Sequence, residues 1–353
     1  MMQGMQGMNK GLWGTFSDPR VWLLATFGVA FVMGGLLIAV AGRDPWLAYQ
    51  ALVQGAFGGG AALSETLVNS TPLIFGGLAF ALAARSGLFN IGIEGQLVLG
   101  GLVAGWMGSL PLGWPRVLHL PLCLGLAAVA GGLWGLLPGI LKARNGTHEV
   151  ITTIMLNYLS FRLTAYLVGP SGPLRSGPLP ATAPLVAAAR LDPLWSGTRL
   201  SGGWLLALGL AALVGFGLFR TRVGFRLRTV GSSPGAAQYA GISVTKVWIG
   251  AMVLSGALAG LGGAVEVLGL HYRFYDQFSP GYGFTAIAVG LVGNNHPLGV
   301  VWAGLLFGAL NNGATAMQTL ANTPKDLVQI LQSLVIFSVA AVAGLTRKRG
   351  GKF

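Results

Sequence analysis

The sequence predicts an all-α polytopic membrane protein with about ten transmembrane helices, and three observations carry that expectation. Of the 353 residues, 53% are apolar and only 9% are charged, whereas a soluble domain carries roughly a quarter of its residues as Asp, Glu, Lys or Arg. The apolar runs are continuous, which excludes a transmembrane β-barrel, whose strands alternate in segments of about ten residues. A hydrocarbon core of about 30 Å takes about 20 helical residues per crossing, so the chain has room for roughly ten crossings with short joins.

Taken in order, the candidate crossings are 21–41, 67–84, 93–107, 117–141, 150–168, 202–219, 247–268, 281–293, 298–317 and 327–345. The first ends in Ala39-Val40-Ala41, which resembles a signal-peptide cleavage site, but its apolar stretch exceeds the usual length of about 7 to 15 residues. It is read as a retained crossing. Residues 1–20 form a cytoplasmic N-terminal segment, 21–345 the transmembrane domain with a long inner loop at 220–247, and 346–353 a basic cytoplasmic tail.

Orientation follows from the basic residues. With the N-terminus inside, fourteen of them fall on inner joins, among them Arg85, Lys142, Arg220, Arg222, Arg226, Arg228 and Lys246, and seven fall outside, among them Arg116, Arg175 and Arg199. That asymmetry obeys the positive-inside rule and places both termini in the cytoplasm. The net charge of +13 does not indicate nucleic acid, because no solvated basic face with aromatic or helical readout elements accompanies it. Cys123 is the single cysteine and can form no internal disulfide. His119, His148, His271 and His296 are dispersed, without the spacing of metal ligands.

Two connections stand out. The outer one, 169–201, contains Pro170, Pro173, Pro178, Pro180, Pro184 and Pro193, which deny it a regular helix through most of its length. It reads as a cap over the outer face. The inner one, 220–246, is arginine-rich without an acidic residue and contains Pro234-Gly235-Ala236-Ala237-Gln238-Tyr239-Ala240-Gly241. Proline suits the first turn of a helix and glycine the residue past its end, so one short surface helix is expected there. Glycines four apart, at 101/105, 131/135/139, 256/260 and 304/308, predict close helix contacts, since small residues let backbones approach in lipid.

Charged groups at membrane depth are Glu94, Arg162 and Glu266; their cost in lipid requires them to face protein or water. Glu94 follows the break at 85–92, and a carboxylate in the first turn of a helix is favoured by the macrodipole. Further breaks are expected at Asn69-Ser70-Thr71-Pro72, starting a helix late, and at Gly293-Asn294-Asn295-His296-Pro297, ending one early. Interrupted helices can present backbone dipoles to a polar solute, though short loops with ordinary caps look alike. Asn90, Glu94, Gln96, Asn157 and Glu266 are the candidates for lining a solute path, with Asn311 and Asn312 also polar at depth. The phosphate-binding pattern G-x-x-x-x-G-K-[ST] is absent, so any ATP hydrolysis would have to come from a partner.

Three strings carry a resemblance. They are Gly87-Leu88-Phe89-Asn90-Ile91-Gly92-Ile93-Glu94-Gly95-Gln96, Glu149-Val150-Ile151-Thr152-Thr153-Ile154-Met155-Leu156-Asn157-Tyr158 and Gly281-Tyr282-Gly283-Phe284-Thr285-Ala286-Ile287-Ala288-Val289. From about residue 65 to 345 the chain resembles the permease subunits of bacterial ATP-driven (ABC) importers for branched-chain amino acids, simple sugars and nucleosides. It is most similar to the nucleoside and simple-sugar branch. Pro234, Ala236, Ala237, Tyr239 and Gly241 match the family's coupling pattern G-x-N-P-x-A-A-x-Y-x-G, while Ser233 replaces the usual asparagine and Gly235 a common acidic residue.

The resemblance implies a type II ABC importer-like bundle with two halves of inverted topology in a bacterial plasma membrane. It implies a second permease, homologous or identical, an ABC ATPase carrying the ATP and Mg, and an extracytoplasmic solute-binding protein. This chain would be non-catalytic and hold no cofactor of its own. ATPase coupling would fall on Arg222, Arg226, Pro234, Ala236, Ala237, Tyr239 and Gly241. Nucleosides are the expected solutes, with simple sugars or branched-chain amino acids as alternatives. A stand-alone secondary carrier or channel is the rival from another class, and would need membrane-embedded ion ligands.

Overall fold

The computed structural model describes residues 19–324, 327–330 and 333–334. The N-terminal residues to 18, most of the crossing expected at 327–345 and the tail at 346–353 lie outside the described residues. Helices dominate: α1 (Pro19–Val40), α2 (Pro45–Phe57), α3 (Gly60–Arg85), α4 (Ile93–Ser109), α5 (Arg116–Asn145), α6 (Glu149–Val168), α7 (Gly203–Arg220), α8 (Arg222–Ser232), α9 (Pro234–Tyr239), α10 (Val244–Glu266), α11 (Tyr282–Val292) and α12 (Pro297–Leu320). Among the described residues extended pairing is limited to two isolated bridges, Ala181 with Tyr275 and Pro193 with Ser201. Among the described residues, five helical stretches are long and apolar enough to cross a membrane on their own: α3, α5, α7, α10 continued by a π turn to His271, and α12.

The chain divides into two compact units, residues 63–309 and, among those described, 19–62 with 310–334. In the smaller unit α2 begins at a cap: Asp44 accepts hydrogen bonds from the Trp46 and Leu47 amides, with Pro45 in the first turn. A capped helix of 13 residues spans about 20 Å at 1.5 Å per residue, less than the hydrocarbon thickness of about 30 Å; α11, on the crossing expected at 281–293, has 11 residues and is shorter still. The Asn312 amide donates to the Gly55 and Ala62 carbonyls at 2.6 and 2.8 Å.

The larger unit is assembled on glycine seams. A Cβ on Gly131 would stand 2.2 Å from the Gly256 carbonyl oxygen, one on Gly260 2.4 Å from that of Ala127, and one on Gly263 1.9 Å from that of Leu97. Helices α4, α5 and α10 thus meet backbone to backbone, where lipid offers no hydrophobic drive and close van der Waals contact must hold them.

Two expectations need correction. Helix α3 does not start at Pro72 but runs unbroken through it. Proline removes an amide donor and normally breaks a helix. Here the preceding side chains turn back onto the helix: Asn69 donates to the Glu65 carbonyl, and Ser70 and Thr71 donate to that of Leu67, at 2.8 to 2.9 Å. These bonds go to the Glu65 and Leu67 carbonyls, whereas the carbonyl that the proline leaves without an amide partner is that of Val68. The inner loop, in turn, forms two helices rather than one. Thr221 caps α8 by accepting from the Gly224 amide, and Gly224, Leu227 and Val230 turn one face of α8 inward at helical spacing. Of the outer connection, only Ala187–Ala189 forms a helical turn.

Candidate functional site

The break between α3 and α4 is the polar centre of the larger unit. Helix α3 ends at Arg85, Gly87 takes a left-handed φ of 80°, and α4 begins at Ile93. The intervening backbone lacks helical partners, so side chains supply them, as buried amides and carbonyls require. The Asn90 carboxamide accepts from the Gly92 amide and donates to Gln96 Oε1 and Ser255 Oγ, each at 2.9 Å. Ser255 in turn donates to the Ala79 carbonyl at 2.7 Å. From α6, Asn157 accepts from the Gly95 amide at 2.8 Å and donates to the Ile91 carbonyl at 2.9 Å, and Thr153 accepts from the Ile91 amide.

Glu94 lies in the first turn of α4 and accepts from the Gly283 amide in the first turn of α11. One carboxylate therefore faces the positive ends of two helices, a favourable place for it. The close approach needs Gly283, because a Cβ there would lie 2.4 Å from the Glu94 amide nitrogen.

The structure thus brings Asn90, Glu94, Gln96 and Asn157 together, all buried, with Thr153, Ser255 and Gly283 as members that sequence reasoning missed. The signal for two of these was present, since Thr153 and Gly283 fall inside the quoted strings. Ser255 had none. Glu266 stands outside this hydrogen-bond network. It is buried at the end of α10, 3.9 Å from His271 Nε2, beside a small cavity also lined by Thr71, Arg199 and Ser201. Arg199 forms a forked ion pair with Glu65, which raises its pKa above the usual arginine value against the opposing effect of burial.

At the other end of the larger unit, α8 rests on the break. A Cβ on Gly231 would stand 2.2 Å from the Arg85 carbonyl oxygen and 3.0 Å from the Gly87 amide nitrogen. Beyond it α9 is short and outward. Ser233 accepts from the Ala236 amide, Pro234 opens the first turn, and the helix closes with Ile242 N–H to the Ala237 carbonyl and Gly241 N–H to that of Gln238. This paired closure requires a left-handed residue past the helix end, and Gly241 supplies it with φ 74°. Serine and asparagine are equally good N-caps, so the departure at Ser233 leaves the helix start intact. Arg222, Arg226, Pro234 and Ala236 are exposed, Ala237 is buried, and Tyr239 is 97% exposed. Arg85 and Arg228 both stand over the Phe219 ring, at 5.6 and 5.3 Å.

A helical bundle with long apolar spans, a buried polar clamp at a helix break and a projecting two-helix loop defines an integral membrane protein of the permease type. The family described as "Branched-chain amino acid transport system / permease component" matches residues 62–340, and the chain belongs to it. The chain is 42% identical, over 90% of its length and 93% of the relative's, to a guanosine ABC transporter permease protein of Bacillus subtilis. It is 35% identical to a glucose ABC transporter permease protein of Haloferax volcanii, over 96% of this chain and 90% of that one. A nucleoside ABC transporter permease protein of Lactococcus lactis is also 35% identical, over 88% and 87% respectively. No solved structure matches the chain.

Proposed function

We propose that this chain is the transmembrane permease subunit of an ATP-driven importer for nucleosides in a bacterial plasma membrane. It works with a second permease, an ABC ATPase that binds ATP and Mg, and an extracytoplasmic solute-binding protein, and itself catalyses nothing. The observation that carries the proposal is the pair α8 and α9, exposed at Tyr239 and seated through Gly231 on the backbone of the α3–α4 break. Closure of the ATPase pushes α9 through contacts at Arg222, Arg226, Pro234, Ala236, Tyr239 and the turn at Gly241. That push reaches the residues that hold Asn90, Glu94, Gln96 and Asn157, and rigid elements with two arrangements convert it into opening. Glu266 faces the outer part of the path.

The nucleoside assignment is supported by the relatives named for guanosine and for nucleosides; the relative named for glucose keeps simple sugars as the second reading. Ten crossings in two inverted halves with both termini cytoplasmic complete the proposal. Its support is that polar pairs join groups expected on one side: Arg116 with Asp192 and Arg199 with Glu65 outside, Lys142 with Glu149 and Arg85 with the Asn294 and Asn295 carbonyls inside. The test is nucleoside uptake into liposomes containing both permeases, with and without the ATPase and ATP. Uptake that requires ATP and the ATPase is expected; uptake by this chain alone on an ion gradient would overturn the proposal.

A further inference from the structure

We propose that the outward face of α6 centred on Arg162 receives the base of the solute, and that it selects purine nucleosides with hydrogen-bond acceptors at ring positions 6 and 7. This rests on the nucleoside reading above and assigns the contact that reading leaves open. Helix α6 is built inside out. Thr153, Asn157, Ser160 and Thr164 form its buried face, while Met155, Tyr158, Leu159, Arg162 and Tyr166 are exposed on the opposite one. Tyr158, Arg162 and Tyr166 follow at i, i+4 and i+8, so they stack along one line of the helix.

Arg162 is exposed and makes no hydrogen bond or ion pair with any described residue. In a helix running from Glu149 to Val168, it lies about 20 Å from the first residue and about 9 Å from the last, at 1.5 Å per residue. Helix side chains lean toward the N-terminus, so the guanidinium starts out aimed away from the nearer end and deeper into the membrane. Lipid does not accept a charge there; a polar path or a partner does. The other two charges at depth are unavailable for this role, because Glu94 is committed to Gly283 and Glu266 is buried.

The neighbours decide between a path and a partner. Tyr158 is 62% and Tyr166 68% exposed, and they flank the arginine with flat rings. Aromatic faces stack nucleobases without regard to sequence, and a guanidinium fork matches two acceptors on one edge, such as O6 and N7 of guanine. A sugar alone offers hydroxyls and no planar aromatic ring to stack on the tyrosines.

The test uses the complete transporter in liposomes, with initial uptake of guanosine and 7-deazaguanosine measured at concentrations saturating for the wild type. Arg162→Gln is expected to lower guanosine uptake about tenfold, within the discrimination a bidentate arginine gives, and Arg162→Lys nearly as much because the fork is lost. The same substitutions should lower 7-deazaguanosine uptake less than about twofold, since one of the two acceptors of the arginine pair is already missing. Tyr158→Ala and Tyr166→Ala should lower uptake of both nucleosides, with the yield of assembled complex unchanged in every variant. Equal guanosine uptake in Arg162→Gln, an equal penalty for the two nucleosides, or loss of assembled complex in both arginine variants would overturn the assignment, the last pointing to a subunit contact. A wild type that carries no nucleoside at all would overturn the proposed function instead.

Discussion

At the scale of single residues, the amides expected to meet a solute are hydrogen-bonded within the protein, Asn157 to backbone and Asn90 to backbone and side chains alike. Asn157 is 1% exposed and spends both ends of its carboxamide on the start of α4. Replacing it with leucine strands the Gly95 amide and the Ile91 carbonyl, each at a cost of about 1 to 3 kcal/mol when buried. We expect Asn157→Leu to destabilise the protein by about 2 to 4 kcal/mol, read as a lowered melting temperature in detergent. Glu94→Gln, which keeps an oxygen for the Gly283 amide, should be far milder than Glu94→Leu in the same measurement. The sequence marked these positions as polar at depth and could not show which way they face, because an amide that binds a ligand and one that closes a helix break are the same letters. Arg162 illustrates the converse. Its charge was visible from the outset, but only the burial of the opposite helix face reveals that it looks outward.

At the scale of elements, glycine spacing was legible and the helix count of the inner loop was not. The fourfold repeats at 131/135/139 and 256/260 translate directly into the α5–α10 contact. Gly131→Val would drive a side chain into the Gly256 carbonyl, and we expect little assembled protein to be recovered on size-exclusion chromatography. Pro234 and Gly241 announced α9, whereas α8 escaped notice because its arginines read as a solvated loop while Leu227 and Val230 were too few to signal a buried face. Its consequence is testable at Gly231, where a Cβ cannot fit against Arg85. Gly231→Val should cut ATP-driven uptake at least tenfold while the variant still inserts and the ATPase still hydrolyses ATP. Gly241→Val should act the same way from the other end of α9, by forcing a branched residue into left-handed backbone that it strongly disfavours. Unchanged uptake in either variant would remove these helices from the coupling route. The proline in α3 misled in the opposite direction, since the helix runs unbroken through it.

At the scale of the whole molecule, composition supplied the membrane class, because a chain with 9% charged residues has too little polar surface for water, and the continuity of the apolar runs made that class helical. Sidedness is the prediction that belongs here. In a Cys123→Ser background, Asp192→Cys should react with a membrane-impermeant maleimide in intact cells, and Arg226→Cys only after the membrane is opened. The reverse pattern would invert the proposed topology. The chain order also bears on biogenesis. Asn157 meets a partner 62 residues earlier in the chain, so the receiving turn leaves the ribosome first, in keeping with N-terminal segments folding ahead during synthesis. When the inside-out helix slides from the insertion channel, its carboxamide finds a waiting berth instead of a naked stay among acyl tails.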